Sequence, residues 1–478
     1  MKKSLVALAT LAAAAGAFAQ TPNSQPLAAS SVTIFGGLDA RINRLSATNA
    51  GSLLRLDNSG EYSSRLGFRG MEDLGGGWGA AFWLEAGIGN DDGRGQNSTA
   101  NSTNMGQNLA VGTGNTAATA AGAAGTPTGS QLATPTTSGL NGLQGITFNR
   151  ASTVSLINKD LGELRVGRDY SPTFWNLTQF DPFGTVGVGS MANVALGTLN
   201  PAGASIAPPG TAKPQIRTSN SIGWLSANIN GFRAQVQTAF SEMPSNCLGI
   251  DTVPSGNSTS TSCVAAEGDG KLTAFRLTYA NGPLFLGAAN STTKYATTVN
   301  AAAFVQSTAL GLNGVGAAGN VPFLGDYKVT NFGGSYDFGV AKLWAQTGSQ
   351  INGAFSTPYT STGGVPTTPT ITNYAEGKLK YNLLGVTAPM GAWTLKASMT
   401  NGTRVADATV TNDRKQKQTA IGAVYAMSKR TSLYGTYSTM TATGLGASAS
   451  QALTSTAVTA TSGDVKATGV DLGISHRF

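Results

Sequence analysis

Phe232-Arg233-Ala234-Gln235-Val236-Gln237-Thr238-Ala239-Phe240 alternates along its length. Phe232, Ala234, Val236, Thr238 and Phe240 fall on one face; Arg233, Gln235 and Gln237 fall on the other. A strand's side-chain period of two forces this separation. A β-sandwich also alternates, but its buried face is the apolar one and its outer face carries more charge. Here the polar face holds Arg and Gln repeatedly, so it needs water or hydrogen-bonding partners. A wet lumen enclosed by a lipid-facing wall supplies them.

The same logic turns Leu66 and Phe68 outward and Arg65 and Arg69 inward, and sets Ile222 and Trp224 against Arg217, Ser219 and Ser221. Near the N-terminus Val32, Ile34, Leu38 and Ile42 share one face, with Thr33, Asp39, Arg41 and Asn43 on the other. Short Gly/Pro/Asn/Asp connections recur at Asp73–Gly77, Lys159–Gly162, Asn228–Gly231, Asn281–Pro283, Asp337–Val340, Ala388–Gly391 and Ser428–Arg430. Between them run long polar loops, at 45–60, 90–147, 169–214, 243–270, 295–325, 351–371, 401–414 and 442–463. Seven short turns and eight long loops join sixteen strands. Short turns at one end and long loops at the other, with an even strand count, predict an all-β, antiparallel transmembrane barrel.

Composition agrees. Only 11% of the residues are charged, against roughly a quarter in soluble proteins, and 63 are Gly. No apolar run after the first twenty residues is long enough to cross a bilayer as a helix. Lys2 and Lys3, the apolar run Leu5–Ala15 and the small residues Ala17 and Ala19 read as a signal peptide over 1–19. A leader (20–31) and a barrel (32–478) follow, with a low-complexity second loop at 90–147 and a third loop at 169–214. The net charge of +8 comes from basic residues scattered singly along strands, without a nucleic-acid fold motif.

Ser30-Ser31-Val32-Thr33-Ile34-Phe35-Gly36, Ser64-Arg65-Leu66-Gly67-Phe68-Arg69-Gly70-Met71-Glu72-Asp73-Leu74-Gly75 and Phe148-Asn149-Arg150 occur in order along the chain. They are followed by Gly167-Arg168-Asp169-Tyr170-Ser171-Pro172, Phe180-Asp181-Pro182-Phe183-Gly184, Leu433-Tyr434 and the terminal Ile474-Ser475-His476-Arg477-Phe478. Together these segments resemble the general porins of Gram-negative bacteria, particularly the beta-proteobacterial kind. The resemblance implies a homotrimer in the outer membrane that passes small hydrophilic solutes and anions, with the third loop folded into the lumen as a constriction. It also implies that Arg65, Arg150 and Arg217 stand where such porins place their eyelet arginines, with Arg168 at the base of the third loop. The second loop is longer than usual, the leader is extra, and Asp181 stands where many relatives carry a Glu motif.

Arg keeps its charge where partial dehydration would neutralise Lys, so a ring of Arg concentrates anions. Alternation supports Arg65 and Arg217 independently of the resemblance. Arg150 shares the parity of outward Val154 and Leu156, a conflict that a bulge or a rim position would resolve. Asp181 reads either as the acidic side of the constriction or as an Asx-type turn former before Pro182 and Gly184. Arg41 is inward and counts with the constriction residues, adding with Arg233 and Arg276 a diffuse positive field. Cys247 and Cys263, the only two cysteines, pair as a disulfide in an oxidising periplasm or remain two thiols. The outward terminal stripe ending in Phe478 resembles the signal read by the barrel-assembly machinery, while lipid and lipopolysaccharide surround the wall. No cofactor or metal is expected, since two Cys without a nearby His make a poor site. One histidine, His476, two residues from the end, leaves no base for a hydrolytic constellation. The rival readings are a substrate-specific channel and an adhesive surface protein built on the second loop.

Overall fold

The computed structural model describes residues 31–48, 51–90, 93–95, 148–195, 216–240, 271–294, 326–352, 355–357, 372–374, 377–405, 413–443, 448–449, 458–459 and 465–478. The signal peptide, most of the leader and of the second loop, the end of the third loop, and Cys247 and Cys263 lie outside them.

The wall strands are β1 (Ser31–Ala47), β2 (in two pieces, Gly51–Asn58 and Arg65–Gly75), β3 (Trp78–Gly89), β4 (Ala151–Asn158), β5 (Gly162–Tyr170) and β6 (Arg217–Leu225). They continue as β7 (Phe232–Ala239), β8 (Leu272–Asn281), β9 (Leu284–Thr293), β10 (Tyr327–Asp337) and β11 (Lys342–Asn352). The last five are β12 (Gly377–Met390), β13 (Trp393–Arg404), β14 (Arg414–Ala426), β15 (Thr431–Thr443) and β16 (Val465–Arg477). Each strand pairs antiparallel with its sequence neighbours, and β1 closes on β16 from Gly37↔Arg477 to Ala47↔Ala467. Closure removes every sheet edge, which a lipid-facing backbone requires because no water is there to satisfy it. Phe478 completes the seam, exchanging two backbone hydrogen bonds of 3.1 Å with Gly36.

Side chains obey the alternation expected from the sequence. On β4 Val154 and Leu156 are exposed while Ala151, Thr153 and Ser155 are buried. On β7 Phe232 and Val236 are exposed while Gln235 and Gln237 are buried. Trp224, Phe232, Tyr336, Phe338 and Trp393 are exposed near the short turns, where the apolar body and polar tip of Trp and Tyr suit a membrane interface.

The first connection departs from the expected loop at 45–60. Residues 51–58 continue as a strand paired to β1 (Ala47↔Gly51 through Ala40↔Asn58), so the turn itself is short. The irregularity lies further on, at Ser59–Ser64 between the two pieces of β2. Ser59 has φ 63°. The buried Asp39 carboxylate gathers this segment by accepting from the amides of Gly60 (2.8 Å), Glu61 (3.0 Å) and Tyr62 (2.8 Å), and from Tyr434 Oη (2.5 Å).

After β5 the chain forms α1 (Pro172–Gln179) and α2 (Ala192–Ala195). Ser171 caps α1 by accepting from Phe174 N, and Pro172 starts it where a missing N–H is harmless. The segment packs on the polar face of the wall, opposite the exposed apolar band. Phe180 lies over Gly287 and Gly333, where a Cβ would overlap its ring. Gln346 Nε2 donates to Asn176 O, Asn331 Nδ2 to Thr173 O, and Gln418 Nε2 to the carbonyls of Gly189 and Ser190. A buried loop needs its backbone groups paired, and the wall's Asn and Gln side chains do this. Under α2 the inner wall turns apolar. Leu379, Tyr381 and Leu383 of β12, Met440 and Ala442 of β15, and Val465 and Ala467 of β16 form a core with Leu177, Met191 and Val194.

Candidate functional site

Three elements bring arginines together on the inner wall, and a fourth brings an acid. β2 supplies Arg65, the entry to β4 supplies Arg150, and the start of β6 supplies Arg217. β3 adds Glu85, which the sequence reading had not singled out. Glu85 Oε1 accepts from Arg150 Nε at 2.5 Å, Arg65 Nη1 at 3.2 Å and Tyr170 Oη at 3.1 Å, and Oε2 accepts from Trp83 Nε1 at 3.2 Å. Arg65 Nε also donates to Tyr62 Oη at 2.6 Å, with its guanidinium over that ring at 4.3 Å. Arg217 has no acidic partner among the described residues. Its guanidinium lies 4.9 Å from the Tyr170 ring centre, a cation–π contact. Two guanidiniums therefore share one carboxylate while the third lies on Tyr170, and the group keeps an excess of positive charge.

Arg150 resolves the parity conflict at the rim. It precedes β4, its amide bonds Glu85 O at 3.0 Å, and neighbouring Asn149 Oδ1 accepts from Gly87 N at 2.9 Å. Ahead of the regular ladder, both Asn149 and Arg150 are buried. Tyr170 joins the cluster to α1, since its ring stacks on Phe174 (5.7 Å) and tilts against Trp175 (5.0 Å).

The other expected residues stand apart from this group. Arg168 shares the parity of exposed Leu164 and Val166. Its Nε donates to Asn149 O at 2.7 Å and Nη1 to Ser219 Oγ at 2.6 Å, beside the register shift between Gly167 and Asp169. It stands at the base of the third loop but is tied to the rim. Arg41 is buried and paired with Asp471 (2.7 Å) and Asp57 (2.8 Å), so it adds little free charge. Arg276 is held by Asn176 Oδ1 and Gln179 Oε1 of α1.

Asp181 is turned into its own loop. Its carboxylate accepts from the amides of Phe183 (2.9 Å), Thr185 (3.0 Å) and Met191 (2.9 Å). Burial pushes its carboxyl above the usual range, against the pull of those three amides. Asp181→Ala leaves buried amides without acceptors, at about 1–3 kcal/mol each. The expected result is faster hydrogen exchange across residues 183–191 with the wall strands unchanged; unaltered exchange there would show that the carboxylate does not organise the loop.

Asp471 of β16 pins the far end of the same segment. It accepts from Val188 N at 2.9 Å, Asn43 Nδ2 at 2.7 Å and Arg41 Nη1 at 2.7 Å. The site is thus a positively charged patch on one wall, faced by a loop fastened at several points along the inner surface.

Known proteins share this architecture. The outer membrane porin protein 32 of Delftia acidovorans is 30% identical over 486 residues, covering 100% of both chains. An outer membrane porin protein of Bordetella pertussis is 25% identical over 506 residues, again covering 100% of both. Among solved structures, an anion-selective porin from Comamonas acidovorans superposes with a TM-score of 0.60 at 27% identity, covering 94% of this chain and 100% of its own. The family model described as Gram-negative porin matches residues 4–445, and with these relatives and the closed sixteen-stranded wall it shows that the chain belongs to the Gram-negative porins of the outer membrane.

Proposed function

We propose that this porin prefers anions, and that the preference arises where the segment Ser171–Ala195 narrows the water path opposite Arg65, Arg150 and Arg217. The observation that carries this reading is the imbalance at Glu85, one carboxylate among three guanidiniums, with Arg217 lacking an acid partner. A narrowed, partly dehydrated path strengthens the field of such charges, and Arg stays ionised there. The Comamonas relative is described as anion-selective, which supports the same sign. Passage is passive, driven by the solute gradient, and the wall performs no covalent chemistry. Arg41 and Asp181 shape the constriction, while Arg168 stiffens its base. Single-channel recording under a salt gradient tests the preference.

The assembly we assign is a homotrimer whose apolar band faces lipid. Residues 1–19 are the cleaved signal peptide, 20–31 the leader and 32–478 the barrel. The barrel-assembly machinery reads the C-terminal stripe. Deleting Phe478 removes two seam hydrogen bonds and the terminal aromatic together, so outer-membrane assembly should fall sharply. Heat-modifiable migration on gels measures it, and normal trimer yield from the truncated chain would count against the assembly-signal reading.

Cys247 and Cys263 close a loop of fewer than twenty residues, worth about 3 kcal/mol in the chain-entropy account. Alkylation should add mass only after reduction. Cys247→Ser should leave conductance nearly unchanged, because both cysteines fall between β7 and β8 in the chain and in neither strand; labelling of both thiols in the unreduced protein would exclude the bond.

A further inference from the structure

Toward the short-turn end from the arginine cluster, the inner wall carries a cation of a different kind. Arg69 lies on β2 four residues from Arg65, about 13 Å along the strand. It is exposed, whereas Arg65 is buried. Arg69 pairs with Thr33 of β1 and Trp83 of β3, and Phe35 of β1 pairs with Gly67, the next inward position of β2. Alternation therefore puts Phe35, Arg69 and Trp83 together on the lumen face. The Phe35 ring lies over Gly67, where a Cβ would overlap it. Its centre stands 4.7 Å from that of Trp83, with the rings tilted by 57°. The Arg69 guanidinium is 5.5 Å from the Phe35 ring centre and 5.7 Å from that of Trp83, within cation–π reach of both.

Its partners set Arg69 apart. Arg65 and Arg150 have Glu85, Arg41 has Asp471 and Asp57, and Arg477 lies 3.6 Å from Glu61. Among the described residues Arg69 has no carboxylate within ion-pair distance, and only the two rings hold it. The rings differ from other inward aromatics as well. Phe285 stacks on Phe180 of the third loop, and Tyr381 is buried in the core beside α2. Phe35 and Trp83 stay partly open to the lumen. Packing alone would cover such rings, and a charge that only added to the field would need no rings beside it. A guanidinium resting on aromatic rings keeps N–H edges that match the two oxygens of a carboxylate. Apolar ring surface lies next to those edges. Trp83 Nε1 donates to Glu85 Oε2 at 3.2 Å, so this corner adjoins the arginine cluster directly.

We infer that Phe35, Arg69 and Trp83 form a resting site for aromatic carboxylates, the acid group meeting the Arg69 guanidinium while the flat ring packs on Phe35 and Trp83. The site holds a solute on the short-turn side of the arginine cluster. It rests on the proposed anion preference for the sign of the arriving solute, whereas the requirement for a flat ring is independent of that preference.

The probes are benzoate and cyclohexanecarboxylate, which carry the same charge on a flat and on a puckered six-membered ring. Each is added to both sides of a planar bilayer that holds single channels in dilute chloride, and the fall in chloride current is read against concentration. A solute resting in the path interrupts that current. Benzoate should therefore reach half-block in wild type at a concentration roughly fivefold lower than cyclohexanecarboxylate, the scale of one aromatic contact. Phe35→Leu should abolish this difference and leave the chloride reversal potential unchanged, because no charge has moved. Arg69→Gln should weaken block by both acids, and higher salt should do the same in wild type. Equal half-blocking concentrations in wild type, or a Phe35→Leu channel that keeps the wild-type ratio, would overturn the site. The wild-type comparison decides the matter alone if the variants do not fold. A wild type that prefers anions yet treats the two acids alike loses the site and keeps the selectivity reading. One without anion preference that still favours benzoate loses the selectivity reading and keeps the site.

Discussion

Replacing Arg65, Arg150 and Arg217 together by Gln is expected to reverse the ion preference of the pore. A unit charge at 4 Å contributes about 1 kcal/mol in bulk-like water and about 4 kcal/mol at an effective dielectric of 20. Even the lower figure is a roughly fivefold change in local ion occupancy for each charge. The triple variant leaves Glu85 as the local charge of the cluster, so the zero-current potential across a salt gradient should move to the cation side. Glu85→Gln should move it the opposite way, because it frees the arginines from their shared counter-charge. Arg217→Gln alone should give the cleanest single-site shift, since Arg217 is not paired to the carboxylate. At 1 M salt the screening length is about 3 Å and all of these shifts should shrink. An unchanged reversal potential in the triple variant at low salt would remove these arginines as the filter.

The second large effect is expected at Asp471. Asp471→Ala strips Arg41 of its shorter ion pair, Asn43 of its acceptor and Val188 of its anchor in one step. Removing one partner of a buried pair costs about 3–5 kcal/mol, because the other charge stays buried with less compensation. The heat needed to unfold the barrel on gels should drop. Open-channel noise should rise as well, because the third loop loses a fixed point while the wall remains closed. A variant with wild-type heat resistance and quiet currents would show that the loop is held elsewhere, for instance through Gln418 and Phe180.

Much of this was legible in the sequence for a plain physical reason. Where lipid lies on one side and water on the other, a period of two reports the environment directly, and β4 and β7 follow it residue by residue. The short turns were legible because Gly, Asn and Asp mark tight reversals. Arg65 and Arg217 could be assigned to the inner wall by counting alone, and the resemblance added Arg150. What escaped was tertiary. Glu85 was within reach, since it shares parity with Trp83 on a strand whose Phe82 and Leu84 point out, but an isolated acid carries no sign of which bases will surround it. The first loop was placed at 45–60 because Gly51, Asp57 and Asn58 look like turn residues, although 51–58 pair regularly with β1. Asp181 could not be decided between charge and turn until its three amide donors were in view. The long-loop half of β12 inverts the rule: Leu379, Tyr381 and Leu383 face inward because the third loop covers them, and Lys378 and Lys380 face out. Nor did alternation point to Tyr62, Tyr170 and Phe174, which line the arginine cluster. Their rings carry guanidiniums and pack the loop.

The pairing of β1 with β16 has a consequence for biogenesis. Arg41 and Asp471 are 430 residues apart in the chain, so the contact that anchors Val188 cannot exist until the last strand has arrived at the first. On the constriction proposed for the third loop, this anchor is therefore set in the same event that seals the wall. An unfinished barrel, still open along that seam, would hold the loop through Asn331, Gln346 and Gln418 but not yet at Val188, so the last of its fastenings arrives with the last strand.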